Sequence, residues 1–321
     1  MTTSHDCCSA EIVTEVPLTD EFGWSEAEKK VIRLTTPDGS SCNISSYGAT
    51  VVHWSHPYAD KALWMSSLSP HASQGPIRGG VPIAFPQFAN QGPLPLHGCA
   101  RTQHWDVVSL KASTEGESGS SHGEGSEAAA SAVLELKSNA ETRSMWPHDF
   151  RLRYTVTLRP TSLAFDLAVF NTDSTSWSFT GCLHTYLRTA DIRRCALSGL
   201  KGVEYLDKVD GGTVKVERTP TLSVPEASHD SCPKGRDPSE GFVDRIYRKA
   251  GASTRLTDEG AGLTYEIEHS ASWPDTVVVS SAGTRTLVYR APSLMLDRRS
   301  ESCVTVQPLG KRKARRQRPR L

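Results

Sequence analysis

The sequence predicts an all-β protein built as one large antiparallel β-sandwich. Apolar and polar residues alternate in many short runs, and turn-forming residues separate these runs at near-regular intervals. No amphipathic helix longer than two turns is evident. A chain of 321 residues is compatible with a single such domain, because all-β folds often use this length for one unit.

The first strands are predicted between residues 30 and 54, in runs at 31–35, 42–44 and 49–54. Asp38-Gly39 separates the first two runs, and this dipeptide favours the tight turn of a β-hairpin. We therefore predict that these two strands form a hairpin. Residues 1–24 show no periodicity, and we expect a loose leader there.

The clearest alternation lies in the middle of the chain, at 151–158 and 163–170, as expected for a half-buried sheet. The stretch Ser113–Ser131 is rich in Gly, Ser, Glu and Ala, which cannot bury a core, and it is predicted to be a solvated loop. A second loop is predicted at Ser223–Glu240. The remaining strands are predicted at 105–110, 132–136, 176–183, 214–216, 242–247, 263–269 and 276–279.

The chain changes character after residue 280. The alternating pattern is lost, and the sequence closes with the basic run K-R-K-A-R-R-Q-R at residues 311–318. Such a run can serve nuclear import or nucleic-acid binding, or it can be a solvated tail. No aromatic residues are interleaved with it to stack on bases, so we expect no nucleic-acid partner.

Composition excludes several classes of protein. The formal net charge is +0, so no overall field attracts nucleic acid or an anionic membrane. The eight cysteines show no C-x-x-C spacing, which argues against an ordinary zinc site, and we expect neither a metal nor a cofactor. No signal peptide and no membrane span is evident. We expect a cytoplasmic, monomeric protein with reduced thiols.

The most informative stretch is R-G-G-V-P-I-A-F-P-Q-F at residues 78–88, continued by H-G-C-A-R at residues 97–101. Its glycines allow the backbone to approach a ligand closely, and its prolines stiffen the path. Its cationic and imidazole side chains are Arg78, His97 and Arg101. A core strand has no need of two arginines and a histidine, whereas a pocket for a polar small molecule does.

This stretch resembles the motif of the glucose-6-phosphate 1-epimerases, a branch of the aldose 1-epimerase superfamily. The resemblance continues in the family's order through L-H-T-Y-L-R at residues 183–188, G-L-K-G with Y-L-D between 199 and 207, V-D-R-I-Y at 243–247 and W-P-D-T-V-V at 273–278. It implies a galactose mutarotase-like β-sandwich, here at residues 25–280, that interconverts the α and β anomers of hexose 6-phosphates.

The resemblance also implies roles for five residues. His184 is the expected catalytic acid, and a histidine suits this role because its reference pKa of about 6.5 leaves both protonation states accessible. Arg78 and Arg101 are expected to bind the substrate and its phosphate, for which the planar guanidinium fork is suited. Asp244 is expected to accept hydrogen bonds from sugar hydroxyls, and His97 to contact the sugar.

Each of these residues also has a plain structural interpretation. A lone histidine is commonly a buried side chain satisfied by a neighbour, and His97 can equally brace the floor of the pocket. Arginines are commonly found in surface ion pairs, and Asp244 can be an ordinary surface carboxylate. For Gln87 and Asp207 a turn or structural role is at least as plausible as a substrate contact.

The sequence departs from the family pattern in two places. Leu96 stands where the family commonly has a glutamine. The family's catalytic glutamate lies in a late strand, but after residue 278 the only acidic residues are Asp297 and Glu301, and the flanks of Glu301 do not match the motif. Residues 281–321 are therefore predicted to be a divergent tail, and a shifted reading frame or a misplaced splice is the hypothesis for its origin. A carbohydrate-binding protein without the base is the alternative function.

Overall fold

A computed structural model describes residues 8–13, 31–67, 69, 75–113, 128–223, 242–281, 286–290, 292–296 and 299–311. Within these ranges the chain forms 22 β-strands, one short α-helix and two single-turn 3-10 helices. The predicted all-β architecture is confirmed, and so is the absence of long helices in these ranges. None of the described helices has the length and apolar character needed to cross a membrane.

The strands of the first half are β1 (Ser9–Val13), β2 (Val31–Thr35), β3 (Ser41–Ser45), β4 (Val51–Ser55), β5 (Ile83–Ala84), β6 (Asp106–Ser113), β7 (Ala129–Lys137), β8 (Phe150–Arg159), β9 (Ser162–Asn171), β10 (Trp177–Leu183) and β11 (Thr185–Arg188). Helix α1 is Ala140–Met145, and the 3-10 helices are Ala100–Thr102 and Ile192–Arg194.

The strands of the second half are β12 (Cys195–Ser198), β13 (Glu204–Asp207), β14 (Thr213–Val216), β15 (Thr221–Ser223), β16 (Phe242–Tyr247), β17 (Ser253–Asp258), β18 (Leu263–His269), β19 (Thr276–Ser281), β20 (Thr286–Arg290), β21 (Pro292–Leu296) and β22 (Arg299–Lys311).

The strands pair into four sheets, and every named strand pairing is antiparallel. The orders are β1-β2-β3-β4, β21-β10-β5, β11-β20-β19-β16-β13-β14 and β15-β12-β17-β18-β22-β9-β8-β7-β6. The nine-stranded sheet supplies much of the core, and its strand β8 alternates strictly. In β8, Phe150, Leu152, Tyr154, Val156 and Leu158 are buried, while the residues between them are not.

The predicted hairpin at Asp38-Gly39 is confirmed by the antiparallel register of β2 and β3. Gly39 takes a φ of +85°, which glycine adopts at little cost. Within the leader expected at residues 1–24, however, Ser9–Val13 forms β1 and pairs with β2. The physical reason is local burial, since Cys8 is in the core and Ala10 packs against it. Residues 1–7 and 14–30 lie outside the described residues.

The pairing also continues past residue 280. Strand β20 bonds to β11 and β19, β21 bonds to β10, and β22 bonds to β9 and β18. Backbone groups make these bonds whatever the side chain, so the loss of alternation did not signal the loss of strands. The division at residue 281 remains a prediction, as do the loops at Ser113–Ser131 and Ser223–Glu240, whose interiors lie outside the described residues.

Candidate active site

The glycine- and proline-rich segment at residues 78–88, called the seam below, joins strands of different sheets through backbone hydrogen bonds. Val81 donates its backbone N–H to Val51, Gly80 accepts from Tyr186, and Pro82 accepts from His184. Gly80 has a φ of +65°, and a Cβ there would collide with the carbonyl oxygen of Val51. Glycine is therefore required for this close approach. The seam fixes the backbone of the L-H-T-Y-L-R motif directly beside it.

His184 is buried, with 4% of its surface exposed. Its ring stacks on that of Tyr186 at 4.4 Å between centroids, and the Tyr186 hydroxyl lies 3.3 Å from His184 Nε2 in a hydrogen bond. Trp64 in turn stacks on Tyr186, with 5.7 Å between the ring centroids. This stack restricts the imidazole to one orientation, which a proton donor needs in order to meet a defined substrate atom.

His97 meets His184 edge to face, with ring centroids 5.4 Å apart. The backbone N–H of Ala89 donates to His97 Nδ1 at 3.1 Å. Because Nδ1 is the acceptor in this bond, the neutral ring carries its proton on Nε2. His97 is thus set as a hydrogen-bond donor at Nε2, and its strained φ of +66° shows that the loop holds it there.

Arg101 lies on the same loop system as His97. Its Nη2 donates to the carbonyl oxygen of Leu96 at 2.5 Å, and Ala100–Thr102 forms a 3-10 turn. Arg78 lies two residues before Gly80; its backbone N–H donates to Ser69 Oγ at 2.9 Å, and its side chain is exposed. Leu96, where the family commonly has a glutamine, is 56% exposed. Arg78 is part of the glycine- and proline-rich segment, and the turn that carries Arg101 is bonded to that segment through the Ala100 N–H, which donates to Phe85.

Asp244 lies in the same sheet as Tyr186. The register runs from Tyr186 to Val288, from Val288 to Val279 and from Val279 to Asp244, so these residues form one row across four strands. Opposed residues of an antiparallel sheet share a face. Three interstrand steps of about 4.8 Å put the ends of the row about 14 Å apart.

That spacing decides what Asp244 can do. It is too long for a hydrogen bond between the carboxylate and the histidine pair, so the two ends of the row suit different parts of one ligand. Lys208 Nζ lies 3.6 Å from Asp244 Oδ2, while Oδ1 accepts no hydrogen bond within the described part of the chain. Next to the row, Ile246 of β16 and Val277 of β19 pack with Phe88 in a buried apolar cluster.

Gln87 and Asp207 have structural roles. Gln87 Nε2 donates to the carbonyl oxygens of Ala89 and Leu94, and its Oε1 accepts from the Leu94 N–H, so this side chain closes the 87–94 loop. Asp207 accepts from the backbone N–H of Val209 and pairs with Lys215 at 3.1 Å. The sequence analysis had left this interpretation open for both residues.

No acid stands on the strand beside the histidine motif. Strand β20, hydrogen-bonded to β11, reads T-L-V-Y-R. Glu301 lies instead on β22 of the nine-stranded sheet, in register with Ala168. In the described residues no group of three or more His, Cys, Asp or Glu side chains could hold a metal ion.

The sequence analysis missed Tyr186 and Lys208 as site residues. Tyr186 follows His184 by two positions, and a period of two places both side chains on one face of a strand, so this signal was available. Lys208 follows the end of β13 and reaches Asp244 only through the pairing of β13 with β16. That contact depends on register between segments far apart in sequence.

Comparison with known proteins places these features in a wider group. The sequence profile described as aldose 1-epimerase matches residues 30–305, so the match does not stop at residue 280. A protein of Escherichia coli named "Putative glucose-6-phosphate 1-epimerase" is 34% identical over 225 residues, which are 69% of this chain and 65% of that protein. A protein of Cenchrus ciliaris with the same name is 27% identical over 79% of this chain and 70% of its own length.

Solved structures show the same fold. A mutarotase-type protein of Salmonella typhimurium (YeaD, titled "putative mutarotase") superposes with a TM-score of 0.69 at 21% identity, covering 88% of this chain and 91% of that one. The galactose 1-epimerase of Lactobacillus acidophilus superposes with a TM-score of 0.61 at 13% identity, covering 94% and 98%. At these identities the likeness establishes the β-sandwich architecture.

Proposed function

The chain belongs to the aldose 1-epimerase family, and from this premise we propose that it interconverts the α and β anomers of hexose 6-phosphates. The observation that carries the proposal is the contact of His97 with His184, 5.4 Å between ring centroids, beside a loop that carries Arg101. The two relatives named for glucose 6-phosphate support the choice of a phosphorylated hexose.

The reaction requires two proton transfers. His184 protonates the ring oxygen while a base removes the proton of the C1 hydroxyl, so the C1–O5 bond breaks and a carbonyl forms at C1. Rotation about the C1–C2 bond presents the other face of the carbonyl. Ring closure then returns the proton from the hydroxyl to His184 and reprotonates O1. The net proton balance is zero, which suits a site without a cofactor.

The other residues hold the sugar in place. His97 donates from Nε2 to a sugar oxygen, and Asp244 accepts from hydroxyls at the far end of the row. Arg101 and Arg78 bind the phosphate, because a guanidinium pairs with two phosphate oxygens at once. We place this activity in a monomeric, cytoplasmic protein with a small-molecule sugar phosphate as its partner.

A carbohydrate-binding function without catalysis is the second candidate. It is favoured by one observation, the lack of an acidic residue on β20 beside the histidine motif. In that case the pocket would bind a hexose 6-phosphate but would not accelerate ring opening.

Two-dimensional exchange NMR on glucose 6-phosphate separates the candidates. The proposal expects anomer exchange above the spontaneous rate, with His184→Asn reducing it to that rate. Binding seen by calorimetry without enhanced exchange supports the second candidate. Absence of both binding and exchange for glucose 6-phosphate and for other hexose 6-phosphates overturns both.

A further inference from the structure

A cavity of about 460 Å³ opens beside the 87–94 loop. Its described walls include Trp146 after helix α1, Phe179 and its neighbours on β10, and the loop residues Gln91 and Leu94. None of the five predicted site residues is among the described residues that line it. The volume lies within the range of about 300–1,000 Å³ found for small-molecule sites.

The 87–94 loop borders this cavity and also packs on the sheet that carries Asp244. Gln87 lines the cavity, whereas the next side chain, Phe88, packs in a buried apolar cluster with Ile246 and Val277 of that sheet. The Gln87 amide fixes the loop through both of its ends. The cavity therefore has a fixed wall, and its described lining shares no residue with the five predicted site residues.

The lining has a distinct chemistry. No described lining residue is charged, which disfavours a phosphate or another anion as the ligand. Ser178 and Gln91 are exposed, and no described residue hydrogen-bonds to either side chain. Thr180 Oγ1 accepts the N–H of Phe88 at 2.7 Å, which leaves its hydroxyl proton to donate elsewhere.

An aromatic surface stands beside these hydroxyl and amide groups. Trp146 is only half-buried, held by Trp177 at 4.9 Å and Phe85 at 5.6 Å between ring centroids. Its partners fix the indole, so little side-chain freedom is lost when a ligand packs on it. An apolar ring next to neutral hydrogen-bonding groups matches a pyranose, which has apolar C–H faces and a rim of hydroxyls.

We infer that this cavity is a second ligand site, which binds an uncharged pyranoside independently of the exchange proposed at His184. Trp146 packs on a C–H face of the sugar. Ser178, Thr180 and Gln91 exchange hydrogen bonds with its hydroxyls.

The test uses the full chain and methyl α-D-glucopyranoside, whose acetal carbon is blocked and which cannot undergo anomer exchange. Saturation-transfer NMR should show its binding in the presence of excess glucose 6-phosphate. Ser178→Tyr should abolish the signal by filling the cavity, and Gln91→Ala should weaken binding about fivefold through the lost hydrogen bond. Thr175→Tyr, an exposed substitution next to β10 but outside the lining, is the matched control and should leave the signal intact.

Three outcomes overturn the inference: no signal from the glycoside, displacement of the signal by glucose 6-phosphate, or a signal unchanged in Ser178→Tyr. Thermal unfolding by circular dichroism verifies that each variant folds. If Ser178→Tyr does not fold, the loss of affinity in Gln91→Ala still decides the test. If the wild-type protein binds the glycoside but does not accelerate anomer exchange, and binding persists in His184→Asn, the proposed function is refuted and this inference stands.

Discussion

The rings of His97 and His184 meet edge to face, 5.4 Å apart between centroids. The bond from the Ala89 N–H fixes the proton of neutral His97 on Nε2, so the two imidazoles are not equivalent. One is set by the backbone as a hydrogen-bond donor, and the other is oriented by the stack with Tyr186. This asymmetry is consistent with the roles proposed from the family resemblance, proton transfer for His184 and sugar binding for His97.

Replacing His184 with asparagine should remove the proton donor and keep the shape of the site. General acid–base groups contribute about 10²- to 10⁴-fold, so we expect the enhanced exchange of glucose 6-phosphate anomers to fall by about that factor. Affinity measured by calorimetry should change little. His148→Asn, which lies near α1, is the control. An unchanged exchange rate in His184→Asn contradicts the acid role.

Replacing Arg101 with alanine should weaken binding of glucose 6-phosphate by about tenfold or more, since hydrogen bonds to charged groups contribute about 1.5–3 kcal/mol. Binding of unphosphorylated glucose at the same site should change much less. Titration calorimetry with both sugars gives the comparison. Arg143→Ala removes an arginine paired with Asp149 on the surface and should affect neither sugar. Equal losses for both sugars would exclude a phosphate-specific role.

Stability should decline on acidification through His53. Burial, assisted by the charges of Lys61 and Arg33 and opposed by Asp60, lowers the pKa of His53 from 6.5 to about 4. Between these values the unfolded chain binds a proton that the folded chain does not. Stability is therefore full above about pH 6.5 and is lost as the pH falls towards 4, by about 2–3 kcal/mol.

Urea unfolding between pH 7.5 and 4.5 checks this dependence. His53→Asn should flatten the slope, whereas His104→Asn, at an exposed histidine, should keep it. His269, whose pKa is also lowered by burial, should account for part of the slope that remains. A slope that is identical in wild type and His53→Asn would contradict the assignment.

The buried network on the other face of β16 should matter for stability and not for exchange. Tyr247 donates its hydroxyl to Glu217 Oε2 at 2.9 Å, and Arg245 Nη1 donates to the same oxygen at 2.9 Å. Glu217→Ala removes the short ion pair of the guanidinium and leaves it the longer contact with Asp207, at 3.9 Å, so it should cost about 3 kcal/mol. Tyr247→Phe removes one hydrogen bond and should cost about 1 kcal/mol. Denaturant titration measures both, and two unchanged midpoints would be inconsistent with a stabilising network.

The seam glycine offers a backbone test. Gly80→Ala would place a Cβ against the carbonyl oxygen of Val51 and should cost more than about 3 kcal/mol or disrupt the histidine motif. Gly202→Ala shares a positive φ, +85°, but its Cβ would meet nothing within 4 Å, so it should cost only about 1 kcal/mol. Thermal unfolding of the two variants separates the cost of the steric contact from the cost of the positive φ. Equal losses of stability would show that the contact with Val51 does not matter.

The sequence predicts the fold well because its strongest signals are local. The alternation in β8 and the Asp38-Gly39 turn both act within a few residues, and both appear as expected. The pairing of β1 and of the strands after residue 280 was not expected, because backbone hydrogen bonds can complete a sheet where the side-chain pattern is weak.

The same distinction between local and long-range signals applies to the candidate site. His184 and Tyr186 share a face through their spacing, which is visible in the sequence. The approach of His97 depends on how the 87–94 loop closes, and the alignment of Asp244 with Tyr186 depends on the registers of four strands. Such long-range relationships are properties of the assembled sheet and have no local signature.

Strand β20 holds two halves of one sheet together. Among the described strands it lies between β11 and β19 and pairs with both, so it connects the histidine motif to the half of the sheet that carries Asp244. A chain cut before residue 286 would keep all five predicted site residues but would lose β20, the strand that sets the distance between the histidine motif and Asp244. We expect a separate peptide that supplies the missing segment to restore the sheet, which makes this junction a position at which to build a split reporter.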